Sequence, residues 1–210
     1  MSLGRIVAAL PVRDFATGKQ RLAGQLTAAQ RSAVVQTLLA HVVATLRAAD
    51  VVAALAVTSS DPAVLDWARA HAVHALAAPP GLNPALDHAA HWAAAHEADA
   101  LLVVLPDLPL LTVAAVRQLV ALGQPHSVVL APARDNGTNA LLVAPPLALR
   151  WRFGHESAAM HRQQAVAAGL ALHLCNDPAW AHDLDTPADL AALPLEHPLW
   201  RAIGRDGALS

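Results

Sequence analysis

The chain has a single cysteine, Cys175, and no tyrosine among its 210 residues. One thiol cannot form an internal disulfide and cannot supply a cysteine-rich metal site. No stretch approaches the ~20 uninterrupted apolar residues of a membrane-spanning helix. The short apolar run at the N-terminus is broken by arginine and proline, which indicates a strand instead of a signal peptide. The sequence therefore predicts a soluble, cytoplasmic protein without a membrane partner.

Charge is scarce as well. Charged side chains make up 14% of the chain, and 14 basic against 16 acidic residues leave a formal net charge of −2. This balance argues against a general nucleic-acid surface, so a few placed cations must meet any anionic ligand. Histidine is frequent, with 12 copies. The pairs His71/His74 and His88/His91 have no third ligand in evidence, which argues against a structural zinc or iron site.

Short apolar segments of strand length alternate with longer segments of helical periodicity. Predicted strands cover residues 6–12, 51–57, 73–76, 101–105, 128–131, 140–143 and 170–174, and the main predicted helices cover 27–47, 83–97, 112–122 and 156–168. This alternation is typical of a three-layer α/β fold with a central, mostly parallel sheet. The length suits one domain, predicted over residues 1–193. A tail, 194–210, lacks a clear period and is expected to pack on the surface or on a partner.

The segment Leu101–Leu111, with the sequence LLVVLPDLPLL, organises the prediction. Five consecutive apolar residues indicate a strand buried on both faces, and Pro106 ends it because proline cannot donate to a sheet ladder. Asp107 then lies just past the carboxyl end of a central strand, where open α/β sheets bind ligands. The alternative is an aspartate that caps a helix or lies in a plain loop.

Charged residues follow other predicted strands. If Asp183 and Asp185 lie on a strand, they share a face, and together with Asp107 they could hold Mg²⁺ against a polyphosphate. The loop after the first strand carries Arg13, Lys19 and Arg21, at the position where doubly wound sheets bind phosphates. It is neither a Walker A loop nor a GxGxxG motif. A solvated basic loop is the alternative.

Two further segments carry polar side chains next to glycine. Thr138 and Asn139 follow Gly137, which permits close approach of the backbone, although an Asn-Gly hairpin turn explains the same letters. Gly154 and Ser157 open a predicted helix, whose N-terminus could bind an anion. An ordinary helix cap is the alternative there.

Taken in order from about Ile6 to Leu193, these segments resemble the guanylyltransferases of the deazaflavin coenzyme F-420 pathway. That family comprises the 2-phospholactate guanylyltransferases and relatives that accept phosphoenolpyruvate or 3-phosphoglycerate. The resemblance is carried by Lys19, Arg21 and Leu22; Gly81-Leu82-Asn83 with Ala85-Leu86; Asp107-Leu108-Pro109; Gly137-Thr138-Asn139-Ala140-Leu141; Gly154 with Ser157 and His161; and Asp183-Leu184-Asp185-Thr186-Pro187.

The resemblance implies a nucleotidyltransferase (Rossmann-like) fold and transfer of GMP from GTP to a small phosphorylated carboxylic acid, with release of pyrophosphate. It implies these roles: Lys19, Arg21 and Asp107 in catalysis; Asp107 and Asp185, with Asp183 beside them, as ligands of Mg²⁺; Arg13, Gly81, Leu82 and Asn83 at the nucleotide; Thr138, Asn139, Gly154 and Ser157 at the acceptor.

The sequence also departs from the family pattern. Arg13 stands where lysine is common, and His155 and Glu156 fill a segment that is often small or glycine-rich in relatives. These departures leave the acceptor open among the three acids. Another nucleotidyltransferase of the same fold, of the sugar-phosphate or molybdopterin type, is one alternative, and a non-catalytic nucleotide-binding domain is another. The oligomeric state is open, with a homodimer as one option.

Overall fold

The computed structural model describes residues 3–204, which form a seven-stranded sheet with helices on both faces. The strands are β1 Ile6–Pro11, β2 Ala54–Ser59, β3 His74–Ala77, β4 Ala100–Val104, β5 Ser127–Pro132, β6 Thr138–Ala144 and β7 Ala171–Leu174. The helices are α1 Ala28–Ala49, α2 Pro62–Ala70, α3 Leu82–Ala95, α4 Val113–Ala121, α5 Ser157–Ala167, α6 Pro178–Ala181, α7 Pro187–Ala191 and α8 Leu199–Ala202, and a 3₁₀ turn covers Gln20–Leu22.

The sheet order is β3-β2-β1-β4-β6-β5-β7. Strand β6 runs antiparallel to both of its neighbours, whereas the other pairs are parallel. The prediction of a three-layer α/β fold with a mostly parallel sheet is therefore confirmed.

Strands β5 and β6 are joined through a tight turn in which Asn136 has a φ of 66°, so the hairpin alternative for that segment is correct. The reversal places the start of β6 beside the end of β4.

Alternate residues of β1 face opposite layers. Ile6, Ala8 and Leu10 face the core that includes α1, whereas Val7 and Ala9 face the core that includes α3, as expected from the two-residue period of a strand. Helix α3 packs on this second face through Leu86 and four buried alanines. Small side chains let the helix backbone approach the sheet closely. This brings the loop before α3 to the edge of the sheet where β1 ends.

Helix α1 is the one helix, within residues 3–204, whose length and mean hydropathy would suffice to cross a membrane. It begins with a capping box, in which Thr27 and Gln30 exchange side-chain and backbone hydrogen bonds, an arrangement that satisfies free N–H groups of the first turn. Its stripe of large aliphatic residues, which includes Leu38, Leu39 and Leu46, is buried in the protein. Its hydropathy is therefore that of a core helix.

The C-terminal part of the structure differs from the prediction at residues 183–185 and shows where the predicted tail packs. Residues 183–185 form no strand, so the argument that Asp183 and Asp185 share a strand face was wrong; the buried Leu184 between them positions this segment. The tail packs on the domain itself, because Leu199 and Trp200 join Leu22 and residues of α1 in a third apolar cluster. Residues 205–210 of the predicted tail lie outside the described residues.

Candidate active site

A cavity of about 570 Å³ opens at the carboxyl edge of β1, β2 and β4. Its wall is formed by the loop after β1, the end of β2, the loop before α3, the loop after β4, and Asp185. Ligands of open α/β sheets bind at this edge, because the loops that follow parallel strands converge there. The cavity is therefore the candidate site, and it brings together Arg13, Lys19, Arg21, Gly81, Leu82, Asp107 and Asp185.

Lys19 lies between two aspartates at the floor of this cavity. Its Nζ donates to Asp107 Oδ2 and to Asp185 Oδ1, each at 2.7 Å, and its side chain is only 9% exposed. Burial tends to lower the pKa of the ammonium, but the two carboxylates outweigh that effect and leave the pKa above its usual value. The ammonium is therefore charged at neutral pH and compensates the carboxylates.

The two arginines of the loop are much more exposed than Lys19. Arg21 Nη1 lies 3.8 Å from Asp185 Oδ2, and Arg13 is bonded within its own loop, from Nε to Asp14 Oδ2 at 3.1 Å and from Nη2 to the Thr17 carbonyl at 3.2 Å. Exposed ion pairs of this kind are weak because water screens them. Arg21 can therefore turn to a phosphate with little loss, whereas Arg13 would first give up its bonds to Asp14 and to the carbonyl and hydroxyl of Thr17.

Asp183 lies beside the Lys19 cluster without lining the cavity. Burial raises the pKa of its carboxyl, and the neighbouring charges of Asp107 and Asp185 add to this rise. Asn139 Nδ2 lies 3.5 Å from Asp183 Oδ1, but it donates a shorter bond of 2.8 Å to the Trp180 carbonyl. The buried Asn139 thus connects β6 to the segment before Asp183, and its amide does not face the cavity.

The donor set at Asp107 and Asp185 fits a hard cation. Asp107 Oδ1 is buried and has no hydrogen-bond partner among residues 3–204, which leaves a carboxylate oxygen free for a ligand. No group of three or more His, Cys, Asp or Glu side chains is arranged to hold a metal in this part of the chain. Mg²⁺ commonly uses one or two carboxylates and takes its remaining ligands from water and phosphates. Asp107 and Asp185 match that pattern.

Helix α3 begins with Leu82 and Asn83 directly after Gly81, and only part of this segment faces the cavity. Gly81 has a φ of 104°, a conformation that side-chain-bearing residues rarely adopt, and it lines the cavity together with the partly exposed Leu82. Asn83 faces away: its Nδ2 donates to the Phe153 carbonyl at 3.2 Å, and its Oδ1 accepts from the Phe153 N–H at 2.8 Å. Asn83 therefore fixes the segment around Phe153 against α3.

Thr138, Ser157 and His161 form a buried cluster between β6 and α5. Ser157 Oγ donates to Thr138 Oγ1 at 3.0 Å. His161 Nε2 accepts from the Arg152 N–H at 3.2 Å, so its Nδ1 carries the proton and donates to Thr138 Oγ1 at 3.1 Å. Burial lowers the pKa of His161 to about 4, so the ring is neutral at neutral pH. The hydroxyls of Thr138 and Ser157 face each other and do not line the cavity.

Gly154 is exposed at the start of this segment. It has a φ of 128°, and a methyl group built on it would meet no atom of residues 3–204 within 4 Å. Its backbone is therefore open to a ligand from solvent. Of the predicted acceptor residues, Gly154 is accessible next to the buried pair Thr138 and Ser157, whereas the buried Asn139 is directed toward Trp180.

Sequence reasoning missed three groups near the site. Ser59 is the last residue of β2, Ser60 follows it, and both line the cavity; the strand-end argument that identified Asp107 applies equally to them. His161 appeared only as part of a motif. Its position four residues after Ser157 on a helix places both on one face, which is the signal that connects them.

A doubly wound sheet with a basic loop and two carboxylates at its carboxyl edge defines a nucleotide-binding α/β protein of the phosphate-transferring kind. Residues 6–197 match the family described as "Guanylyl transferase CofC like". The chain therefore belongs to that family of guanylyltransferases, and it is an enzyme of the nucleotidyltransferase class.

Individual relatives agree with this assignment. The chain is 39% identical over 203 residues to the phosphoenolpyruvate guanylyltransferase of Sphaerobacter thermophilus, covering 96% of this chain and 98% of the relative. It is 30% identical over 188 residues to the 3-phospho-D-glycerate guanylyltransferase of Colwellia psychrerythraea, covering 89% and 90%. A crystal structure from Desulfovibrio desulfuricans G20, described as a candidate nucleotide-diphospho-sugar transferase, superimposes with a TM-score of 0.76 at 15% identity, covering 98% and 96%. That last similarity concerns the fold alone.

Proposed function

We propose that the enzyme transfers GMP from GTP to phosphoenolpyruvate, releases pyrophosphate, and serves coenzyme F-420 biosynthesis. The observation that carries the proposal is the buried Lys19 ammonium between Asp107 and Asp185 at the floor of a nucleotide-sized cavity. The choice of acceptor is supported by the name of the Sphaerobacter relative, which matches nearly the whole chain. The name of the Colwellia relative makes 3-phosphoglycerate the second candidate.

GTP fits the cavity with its triphosphate toward the basic loop. Lys19 and Arg21 would neutralise the phosphate oxygens and the departing pyrophosphate, and Arg13 would add a third cation. The guanine would lie against Gly81 and Leu82 at the start of α3. In the reaction, a phosphate oxygen of the acceptor attacks the α-phosphorus, and the bond between that phosphorus and the oxygen bridging to the β-phosphate breaks.

No general base is required, because the attacking phosphate oxygen is already ionised at neutral pH. Catalysis then consists of positioning two anions and neutralising their charge. A fixed and charged Lys19 is suited to this task, since a preorganised cation needs no rearrangement of solvent during the reaction.

Mg²⁺ is the proposed cofactor, and Asp107 and Asp185 would hold it, with Asp183 beside them. Bound there, Mg²⁺ would polarise the α-phosphate and stabilise the leaving pyrophosphate. The free oxygen Asp107 Oδ1 supports this proposal. Lys19 contacts both carboxylates as well, so its ammonium would lie beside the phosphates that the metal site holds.

The acceptor would bind at the exposed backbone of Gly154. The first N–H groups of α5 are already paired, Ser157 N–H with the Gly154 carbonyl and Ala158 N–H with the Asn136 carbonyl, each at 3.2 Å, so the anion would approach the backbone of Gly154 itself, just before the helix. The buried pair Thr138 and Ser157 would support the first turn of α5 from behind, with His161 as its third member. The phosphoenolpyruvate carboxylate or phosphate is small enough for such a backbone site.

The test is a pyrophosphate-release assay on the purified protein with GTP, Mg²⁺ and phosphoenolpyruvate, 2-phospholactate or 3-phosphoglycerate in turn. We expect the highest kcat/KM with phosphoenolpyruvate and a product mass equal to the acceptor plus GMP. CTP and ATP serve as nucleotide controls. A higher kcat/KM with one of the other two acids would identify that acid as the acceptor and leave the proposed guanylyl transfer unchanged. Absence of pyrophosphate with all three acids would overturn the proposal.

Two finer points belong to the same proposal. We place the enzyme in the cytoplasm, where GTP is available, and localisation of a tagged chain tests this. We retain the homodimer as a proposal, and light scattering on the purified protein measures the mass in solution.

A further inference from the structure

Two histidines that are distant in sequence bind the same short turn next to Asp107. We call residues 106–111 the Asp107 turn; it contains no helix or strand. His197 Nε2 lies 3.0 Å from the Pro109 carbonyl oxygen, and His41 Nε2 lies 3.1 Å from the Leu111 carbonyl oxygen. Their ring centroids are 6.4 Å apart. One histidine belongs to α1 and the other to the C-terminal segment.

The hydrogen bonds fix which nitrogen of each ring carries its proton. The Leu199 N–H donates to His197 Nδ1 at 3.2 Å, so the His197 proton is on Nε2 and is donated to Pro109. A carbonyl oxygen can only accept, so His41 also donates from Nε2. Burial lowers the pKa of His41, which favours the neutral ring. Both imidazoles therefore act as single, directed donors to the turn.

The rest of the Asp107 turn is held by its backbone and its apolar side chains. The Leu184 N–H donates to the Asp107 carbonyl at 3.0 Å, and Leu108 and Leu111 are buried. The carbonyls of Asp107, Pro109 and Leu111 thus each accept a bond from a different part of the chain. Because the turn has no helical or sheet ladder of its own, these three bonds fix its backbone, and Lys19 contacts the Asp107 carboxylate that the backbone presents.

We propose that His197 is a positioning residue for the active site: it holds the Asp107 turn through the Pro109 carbonyl, and the C-terminal segment thereby forms part of the catalytic framework. His41 is the second point of the same attachment. The proposal rests on the proposed function in one respect, the catalytic role of Asp107. A small displacement of such a carboxylate is sufficient to lower turnover by a factor of ten or more.

The experiment compares three variants of the full chain. His197→Ala removes the donor to Pro109. His197→Gln keeps an N–H donor near the place of Nε2. Ile203→Ala is the matched control, because Ile203 is buried in the apolar cluster of the same segment, against which Leu110 of the turn also packs, but its side chain donates no hydrogen bond, so its truncation weakens packing alone. Each variant is measured for hydrogen exchange of the backbone amides at 105–111, for thermal stability, and for kcat and KM with GTP.

We expect His197→Ala to increase exchange at 105–111 and to lower kcat about tenfold with little change in KM for GTP. His197→Gln should restore most of both, and Ile203→Ala should lower the melting temperature while leaving exchange at 105–111 and kcat near those of the wild type. Unchanged exchange at 105–111 in His197→Ala overturns the proposal, and so does equal loss of kcat in Ile203→Ala.

These outcomes are separable from failure of the proposed function. A wild-type protein that releases no pyrophosphate with any acceptor contradicts the proposed function alone. The exchange measurement then still decides whether His197 holds the turn, and Mn²⁺ binding in the presence of GTP, followed by electron paramagnetic resonance, replaces kcat. Weaker Mn²⁺ binding in His197→Ala, restored in His197→Gln, supports the positioning role; equal binding in all variants contradicts it.

Discussion

Asp107 offers one carboxylate oxygen to Lys19 and keeps the other, Oδ1, buried without a hydrogen bond from residues 3–204. Asn in its place preserves the shape and removes the negative charge. We expect Asp107→Asn to lower kcat by ~10³-fold, the scale lost with a main electrostatic stabiliser. Pyrophosphate release measures the effect, and circular dichroism verifies the fold. A folded Asp107→Asn protein with near-normal turnover would remove Asp107 from the mechanism.

Lys19 is the only cation that contacts both carboxylates within the described residues. Lys19→Met keeps most of the aliphatic stem and removes the charge. We expect kcat/KM for GTP to fall roughly ten- to hundredfold, as for loss of one hydrogen bond to a charged group, with a smaller effect on KM for the acceptor. Paired titrations of GTP and acceptor measure this. A larger effect on KM for the acceptor than on kcat/KM for GTP would mean that the basic loop binds the acceptor.

His161 makes the stability depend on pH. Its folded-state pKa of about 4 lies below its ordinary value of 6.5, so protonation favours the unfolded chain. This contribution is complete above pH 6.5 and is lost as the pH falls toward 4, by an amount on the order of 3 kcal/mol. Urea unfolding at several pH values should show this slope in the wild type and a flatter one in His161→Gln. Equal slopes would place the ring in contact with water.

At the scale of elements, the short helix α7 is fixed directly behind Asp185 by Asp189. The Asp189 carboxylate accepts from the Thr186 N–H at 2.7 Å and from Arg134 at 2.6 Å. Burial alone would raise its pKa, but these hydrogen bonds lower it to about 2. The stabilisation is therefore present above pH 3.8 and is lost as the pH falls toward 2.

Asp189 is the third residue of the capping box that Thr186 begins, and we accordingly expect Asp189→Asn to destabilise the protein by about 1 kcal/mol at pH 7, the upper end for a charge in the first turn of a helix. The difference from the wild type should narrow below pH 4, measured by urea unfolding. Asp66→Asn is the control, since Asp66 forms an exposed pair with Arg69 and should have little effect at any pH. If the difference in unfolding free energy between Asp189→Asn and the wild type does not change with pH, the charge of the carboxylate contributes nothing to stability.

At the scale of the whole molecule, the third apolar cluster connects the two ends of the chain. Leu199 is fully buried against α1 and Leu22, which directly follows the basic loop. We expect Leu199→Ala to lower the free energy of unfolding by about 2–5 kcal/mol, as for other buried leucines. Leu195→Ala is the matched control, because Leu195 is 64% exposed. Similar losses in both variants would indicate that the C-terminal segment is not docked in solution.

The part of the site that could be predicted from the sequence is the part that follows strand ends. Asp107 comes shortly after β4 and Lys19 lies in the loop that follows β1, and parallel strands bring such positions to one edge of the sheet. The sheet and most helix limits could be predicted for the same reason, because apolar periodicity and proline positions are local signals.

The remaining features depend on tertiary contacts. The orientation of Asn83 is decided by the backbone of Phe153, 70 positions away, and burial of the Ser157 hydroxyl is decided by Thr138 on another strand. The insertion of β6 between β4 and β5 likewise depends on long-range pairing. No local pattern in the sequence contains these contacts, although the Asn-Gly turn does indicate that β6 runs antiparallel to β5.

The span of the Lys19–Asp185 contact has a consequence for synthesis of the chain. The two residues are 166 positions apart, and the basic loop leaves the ribosome long before its second carboxylate is translated. During that interval Lys19 has at most one of its two anionic partners, and the Asp107 turn lacks both the Leu184 and the His197 donors. The floor of the cavity is therefore complete only when nearly the whole chain has been synthesised.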